Sequence, residues 1–256
     1  MRLDKEIVNR GLVPTRAKAQ ELLKNEKIKL NGKIETKAST IVNDKDNIEI
    51  LPNDTLKYVS RGGLKLDKAI TEFNIDLTNK VIMDIGSSTG GFTDCSLQYG
   101  DKYVYAIDVG IDQLDPRLLT NDKICSMEET NFLDIEGFDT HIDFYVTDVS
   151  FISVKKILFH LNELDAKDII ILIKPQFEVD NKYLNKNGVL KDRSKHYEIL
   201  KDMNEYINSI NYKIHKIIPS PIKGKSGNIE YLAYIKRNSN SNIDLYSTVK
   251  KAFGVD

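Results

Sequence analysis

The chain has 256 residues, 41% of them hydrophobic and 29% charged, with a net charge of −1. This is the composition of a folded protein with room for one large domain and a small one, and it argues against disorder. No apolar run approaches the roughly 18 to 20 residues of a membrane helix, and Met1-Arg2-Leu3-Asp4 opens no apolar leader, so a cytoplasmic protein without a membrane partner is expected. Cys95, Cys125 and four scattered histidines offer neither metal-ligand spacing nor a disulfide framework, so no metal is expected.

At the N-terminus, residues 1–37 hold ten basic against five acidic side chains, which predicts a basic module on a more acidic body. Helical apolar spacing covers Asp4 to Arg10 (Ile7, Val8) and Thr15 to Asn25 (Ala19, Leu22, Leu23). The stretch KIKLNGKIE then reads as a hairpin around a tight Asn31-Gly32 turn. Thr15 is the expected N-cap of the second helix, and Arg16 and Lys18 sit in its first turn, where the helix dipole disfavours cations. Cations placed against the dipole suggest an external anion such as phosphate.

The second module begins with YVSRGGLKLDKAI. VIMDI (81–85), YVYAI (103–107), DFYVT (143–147) and DIIILI (168–173) are apolar strand candidates separated by helix-length segments, with a less distinct strand near KICSM. Lacking period-two alternation, DIIILI reads as a strand covered on both faces. A helix over about 194–209 and two close strands, KIHKII and EYLAYIK, complete an α/β, doubly wound parallel sheet with an antiparallel edge. The polar run NSNSN after Arg237 reads as a loop leading to a tail.

Strand 81–85 runs into DIGSSTGGFTD. A phosphate-binding loop needs lysine after the last glycine, where Phe92 stands, and a dinucleotide fingerprint needs glycine where Ser88 stands. The form D-x-G-x-x-x-G-G suits S-adenosylmethionine, which requires close backbone approach but has no phosphate to cradle. The expected cofactor contacts are Asp84, Gly86, Ser88, Thr89, Gly90, Gly91 and Phe92. Asp108, ending the next strand, is placed for ribose hydroxyls, and Asn131 or Asp134 for the adenine.

Asp148 and Lys174 each follow a parallel strand, so both are delivered to the carboxyl edge where ligands bind in open α/β sheets. Glu230 opens a strand that would run antiparallel and so reaches the same edge, and Lys65 can join from a preceding helix. Four such charges suit methyl transfer to a weakly acidic hydroxyl, which needs alignment and proton removal. Free lysine, near pKa ~10.4, is mostly protonated at neutrality, so a lysine base needs its ammonium form destabilised by roughly 3 to 4 kcal/mol. Lys174 is the candidate base, Lys65 a second cation, and Asp148 and Glu230 orient them.

These segments resemble known proteins. RLDKEIVNRGLVPTRAKAQELL with KLNGK looks like the S4 RNA-binding domain; YVSRGGLKL, DIGSSTGGFTD, IDVGIDQLDPRL, TDVSFIS, IKPQFE and GNIEYL resemble, in this order, the TlyA or haemolysin A family of ribosomal RNA 2′-O-methyltransferases. The resemblance covers about residues 2–236. It implies an S4-type RNA-binding domain over 1–57, a linker over 58–64, a Rossmann-like class I methyltransferase domain over 65–237 and a tail over 238–256. It also implies S-adenosylmethionine as cofactor, a Lys65, Asp148, Lys174, Glu230 catalytic tetrad, and a cytidine 2′-hydroxyl in ribosomal RNA, within ribosomal subunits, as substrate. Arg2, Arg10, Arg16, Lys18, Lys27 and Lys29 are the implied RNA contacts. Members limited to large-subunit RNA have shorter termini; the match here starts at Arg2, so that limited type is expected.

One departure stands out: the pattern places glycine before the hairpin strand, and this chain has Glu26. Three rival readings follow from the same segments. A membrane-active toxin would need an apolar or interfacial segment that is not seen. A pseudouridine synthase would need its Arg-Leu-Asp motif in a catalytic domain, whereas Arg2-Leu3-Asp4 falls in the first module. An inactive RNA-binding or assembly protein would not need the four charges.

Overall fold

The computed structural model describes residues 1–13, 15–51, 57–224, 226–237 and 240–255. The chain forms two compact units, Met1–Lys57 and Tyr58–Asp256.

In the first unit, helices α1 (Leu3–Asn9) and α2 (Arg16–Lys24) precede strands β1 (Ile28–Leu30), β2 (Lys33–Ile34) and β3 (Ile48–Ile50), which form an antiparallel sheet of order β2-β1-β3. Leu3, Ile7, Ala19, Leu22, Leu23 and Ile28 make its core, so the helical spacing read from the sequence is the spacing that is buried. Thr15 caps α2 by accepting from the Lys18 amide. Asn31 and Gly32 both have positive φ, 50° and 81°, and Leu30 pairs with Lys33 across them, as a two-residue hairpin turn requires. At the end of α2, the Lys27 amide bonds to the Leu22 carbonyl and the Glu26 amide to that of Leu23. This is the Schellman closure, whose left-handed position usually holds glycine. Here Glu26 occupies it at φ 58°.

The second unit is a seven-stranded sheet. Its strands are β4 (Val81–Ile85), β5 (Tyr103–Ile107), β6 (Ile124–Met127), β7 (Phe144–Thr147), β8 (Asp168–Ile173), β9 (Tyr212–Pro219) and β10 (Tyr231–Arg237), in the order β6-β5-β4-β7-β8-β10-β9. Six strands run in one direction, β4 to β8 as parallel neighbours; β10 runs antiparallel to both its neighbours and is inserted between β8 and β9. Helices α3 (Gly62–Phe73), α4 (Gly91–Gln98), α5 (Pro116–Leu119), α6 (Val154–Glu163), α7 (Arg193–Ser209) and α8 (Leu245–Ala252) complete it. Two apolar clusters cover the sheet: Ile169, Ile171 and Ile173 belong to one, Ile170 and Leu172 to the other. The unbroken apolar run of β8 is thus explained by burial on both faces.

Strand order reverses between β4 and β7, the switch point at which open α/β sheets leave a crevice. Two expected boundaries change. The segment 58–64 is packed: Tyr58 is 3% exposed, its ring lies so close to Gly63 that a Cβ there would come within 2.3 Å, and the Val59 amide donates to Asp94 at 2.7 Å. The segment 238–256 is no simple tail, since α8 buries Val249 in the core and Phe253 meets the ring of His196. An amphipathic helix with an apolar face needs such a surface to cover it. Within the polar run that precedes it, Asn238 and Ser239 lie outside the described residues.

Candidate active site

A cavity of about 880 Å³ opens at the switch point, within the size range of small-molecule sites. Its floor is Asp84, on β4, with no exposed surface. One Asp84 oxygen accepts from the Thr93 hydroxyl at 2.7 Å, while Oδ1 has no partner. Burial pushes this carboxyl up to about 7; Thr93 opposes the shift, and the charges of Asp148 and Asp108 add to it.

The glycine loop forms one wall. Gly86 turns at φ 80°, and Gly86, Ser88, Thr89, Gly91 and Phe92 line the cavity. Gly91 lets α4 approach α3: a Cβ there would lie 2.9 Å from the Gly63 nitrogen. Gly90 is not on the wall; at φ 88° it precedes α4 and packs on Leu114 and Leu118. Asp108 is also off the wall. Its two oxygens accept from the Ser88 amide at 2.7 Å and the Gly110 amide at 2.8 Å, so it holds the loop while keeping further lone pairs. Asn131 lies elsewhere, capping the turn Phe132–Asp134 through the Leu133 amide and donating to Asp134.

At the far end the four charges meet. Lys65 on α3 donates to Glu230 at 2.7 Å and to Asp148 at 3.3 Å, and Lys174 lies 2.6 Å from the other Asp148 oxygen. The order is Glu230, Lys65, Asp148, Lys174, acid alternating with base. Strand geometry accounts for three of them: Tyr231 pairs with Ile173, so Glu230 and Lys174 flank one rung of the ladder, and Asp148 follows β7 beside them. Lys65, Lys174 and Glu230 are buried. Buried charges persist only when paired, and here each has an opposite neighbour.

Several lining residues were not singled out from the sequence. Ser150 accepts from Lys174 Nζ at 2.7 Å. Phe151 is 92% exposed with φ 64°, a left-handed geometry that costs a non-glycine residue about 1 to 3 kcal/mol, and its ring centre is 5.2 Å from that of Phe177. Gln176 places a buried, unpartnered Oε1 in the lining. Ser150 and Phe151 fall in TDVSFIS and Gln176 and Phe177 in IKPQFE, directly after Asp148 and Lys174, and that adjacency was the available signal.

The expected RNA contacts divide. Arg2 and Arg16 both bond to Asp4, Arg10 bonds to Glu6 and to the carbonyls of Asn43 and Asp46, and Lys18 pairs with Glu21. These four are therefore partly engaged within their own unit. Lys27 and Lys29 make no ion pair with any described residue. Among the described residues, no group of His, Cys, Asp and Glu could hold a metal, and no helix is long and apolar enough to cross a membrane.

A seven-stranded sheet of this order, with a glycine cradle at its switch point and a charged edge beyond it, defines a methyltransferase. Residues 58–237 match the FtsJ-like methyltransferase family and residues 1–48 the S4 domain, and the chain belongs to that family. Within it the chain stands with proteins named TlyA and hemolysin A. It is 43% identical to Hemolysin A of Brachyspira hyodysenteriae, over 91% of this chain and 99% of the relative. It is 36% identical to the 23S rRNA (cytidine-2′-O)-methyltransferase TlyA of Campylobacter jejuni (90% and 98%), and 33% identical to the 16S/23S rRNA (cytidine-2′-O)-methyltransferase TlyA of Mycobacterium tuberculosis (92% and 89%). A solved Streptococcus thermophilus structure described as a hemolysin superposes with a TM-score of 0.78 at 35% identity, covering 99% of this chain and 96% of that one.

Proposed function

We propose that the protein transfers the methyl group of S-adenosylmethionine to the 2′-hydroxyl of a cytidine ribose in ribosomal RNA, in 23S RNA and, as a second candidate, in 16S RNA. The observation that carries this reading is the Glu230, Lys65, Asp148, Lys174 chain at one end of a cavity whose other end is a glycine cradle. The names of the relatives from Campylobacter and Mycobacterium support the choice of RNA and hydroxyl. A cytoplasmic location belongs to the same reading.

The chain's residues fit the cofactor. Gly86 turns the backbone at φ 80° to bring the loop to the cavity wall, and the unpartnered Asp84 Oδ1 is an acceptor in need of a donor. Asp84, Gly86, Ser88, Thr89, Gly91 and Phe92 would hold it, with Asp108 fixing Ser88 from behind. When bound, the cofactor supplies a methyl group already activated by a sulfonium.

Lys174 Nζ takes the proton of the ribose 2′-hydroxyl as the oxygen becomes nucleophilic: the O–H bond breaks and an N–H bond forms. Asp148, shared between Lys174 and Lys65, fixes both amines, and Glu230 balances Lys65. The low exposure of the group excludes water from the proton transfer. In the first unit, Lys27 and Lys29 are free to meet phosphate.

The test maps ribose methylation in RNA from whole ribosomes, isolated subunits and naked transcripts after incubation with cofactor. Methylation at a cytidine is expected, and Lys174→Ala should lower turnover by about 10²-fold or more while cofactor affinity is kept. Unmethylated RNA in all three substrates would remove the proposal.

A further inference from the structure

Lys174 Nζ has two short contacts, Asp148 Oδ1 at 2.6 Å and Ser150 Oγ at 2.7 Å, and a long one, the Asp148 carbonyl oxygen at 3.5 Å. An ammonium group carries three N–H bonds, whereas the neutral amine carries two and a lone pair. Nζ also lies 5.8 Å from the centre of the Phe177 ring. All three acceptors serve the ammonium form; in the amine the two short ones take its two N–H bonds, and the 3.5 Å contact, at the limit of a hydrogen bond, is the one given up to leave a lone pair. We propose that Ser150 is a positioning residue of the transfer site, which with Asp148 holds both N–H bonds of the Lys174 amine so that its lone pair faces the substrate hydroxyl. The inference rests on the reading of Lys174 as the base.

The turn that carries Ser150 is built to hold it there. Phe151, the next residue, is strained at φ 64° although 92% exposed, so burial does not explain the strain. Two residues on, Ser153 caps α6 and donates its hydroxyl to Glu178 at 2.6 Å, and the Val154 amide donates to the same carboxylate at 2.7 Å. Glu178 follows Lys174 by one turn, after Pro175–Phe177. It ties the segment bearing Ser150 to the segment bearing Lys174, and Phe151 meets Phe177 in a tilted ring contact across the same junction. Strain at an exposed residue, held from both sides, points to a constrained neighbour.

The charged groups that share the cavity with Lys174 are Asp148 after β7, Arg61 and Lys65 at α3, Glu230 before β10 and Lys223 in the loop that precedes it, with Glu178 beyond the turn. Ser150 is the uncharged partner at short distance, so its removal changes hydrogen bonding without changing net charge.

The experiment measures kcat, KM for RNA, cofactor affinity by calorimetry and the pH dependence of kcat for wild type, Ser150→Ala, Ser150→Thr and Lys174→Ala. In Ser150→Ala the plateau kcat should fall about tenfold, with KM and cofactor affinity within about twofold. The acid limb of the profile should move to lower pH by roughly half a unit, because the ammonium form loses an acceptor. Ser150→Thr should restore both. If Lys174→Ala is inactive while Ser150→Ala matches wild type, the inference fails and the base stands. A lower plateau with an unmoved limb in Ser150→Ala also overturns it, since a merely structural role would give that result. Wild-type turnover by Lys174→Ala would remove the base and the inference together.

Discussion

Asp4 in the first unit and Asp84 in the second are both fully buried, and their surroundings treat them in opposite ways. Asp4 receives two N–H bonds from Arg2, one from Arg16 and one from Gln20. The Arg2 guanidinium, opposed by burial and joined by Gln20 and Arg16, holds its carboxyl well below the usual range. Asp84, in the lining of the cavity, has a single side-chain donor and one unpartnered buried oxygen, and burial pushes it up to about 7. A carboxylate with all its bonds made within the protein stabilises the fold, whereas one with unused capacity beside a cavity is available to a ligand. The basic side chains of the first unit that looked free in the sequence are in part directed inward, onto Asp4 and Glu6.

The comparison can be broken most directly at Asp84. Its folded-state carboxyl lies above the unfolded value of ~3.9, so wild-type stability falls as pH rises between ~4 and about 7. Asp84→Asn removes this dependence and should be more stable at pH 8 by ~2 to 4 kcal/mol, yet bind the cofactor at least about tenfold more weakly. Urea melts at pH 5 and 8 and calorimetric titration with S-adenosylmethionine read the two effects; unchanged cofactor affinity would deny Asp84 its proposed role.

Asp4→Ala should destabilise the first unit by about 2 to 3 kcal/mol, because four N–H donors on three side chains lose a charged acceptor. Hydrogen exchange of residues 3–50 in the full chain would detect this without interference from the larger unit. The sign with pH is opposite to that of Asp84: the depressed Asp4 carboxyl contributes above ~pH 4, and the contribution is lost as pH falls through the folded value. Exchange that stays constant from pH 7 to pH 3 would contradict it.

Asp101 sharpens the contrast. It is 2% exposed with both oxygens unpartnered, and burial, partly offset by the Lys123 charge, pushes it up to about 7, but it does not line the cavity. Asp101→Asn should therefore raise stability at pH 8 by about 1 to 2 kcal/mol and leave turnover unaltered. The smallest effect expected is at Glu26, where glycine relieves the left-handed backbone and should add about 1 kcal/mol to the first unit. A loss of stability in Glu26→Gly would show that the carboxylate makes a compensating contact.

Much of the site was legible because it depends on local rules. Apolar run length located β4, β5, β7 and β8, and the residue after a buried parallel strand must emerge at the carboxyl edge, which placed Asp148 and Lys174. Glu230 followed once the strand it opens was read as antiparallel, since β9 and β10 lie close enough in sequence to pair that way. Other features depend on partners remote in sequence. The donors to Asp4 come from up to 16 residues away, and Lys65 meets its acids across 83 and 165 residues. The cap that Asn131 forms on the turn Phe132–Asp134 was not legible, because a polar loop residue and a turn cap look alike in sequence. Phe151 gave no sign of strain, because nothing in a phenylalanine requires a positive φ.

Residue order alone determined the alternation of strand and helix, the glycine turn after β4 and the arrival of acid and base at one edge, since all three follow from periodicity and the stereochemistry of a few residues. Tertiary packing decided which charges are neutralised inside the protein and which are left to a ligand. It also placed Ser150 on Lys174. Hydrogen-bond partnership is a property of distance in space, and folding sets that distance between residues whose separation along the chain does not encode it.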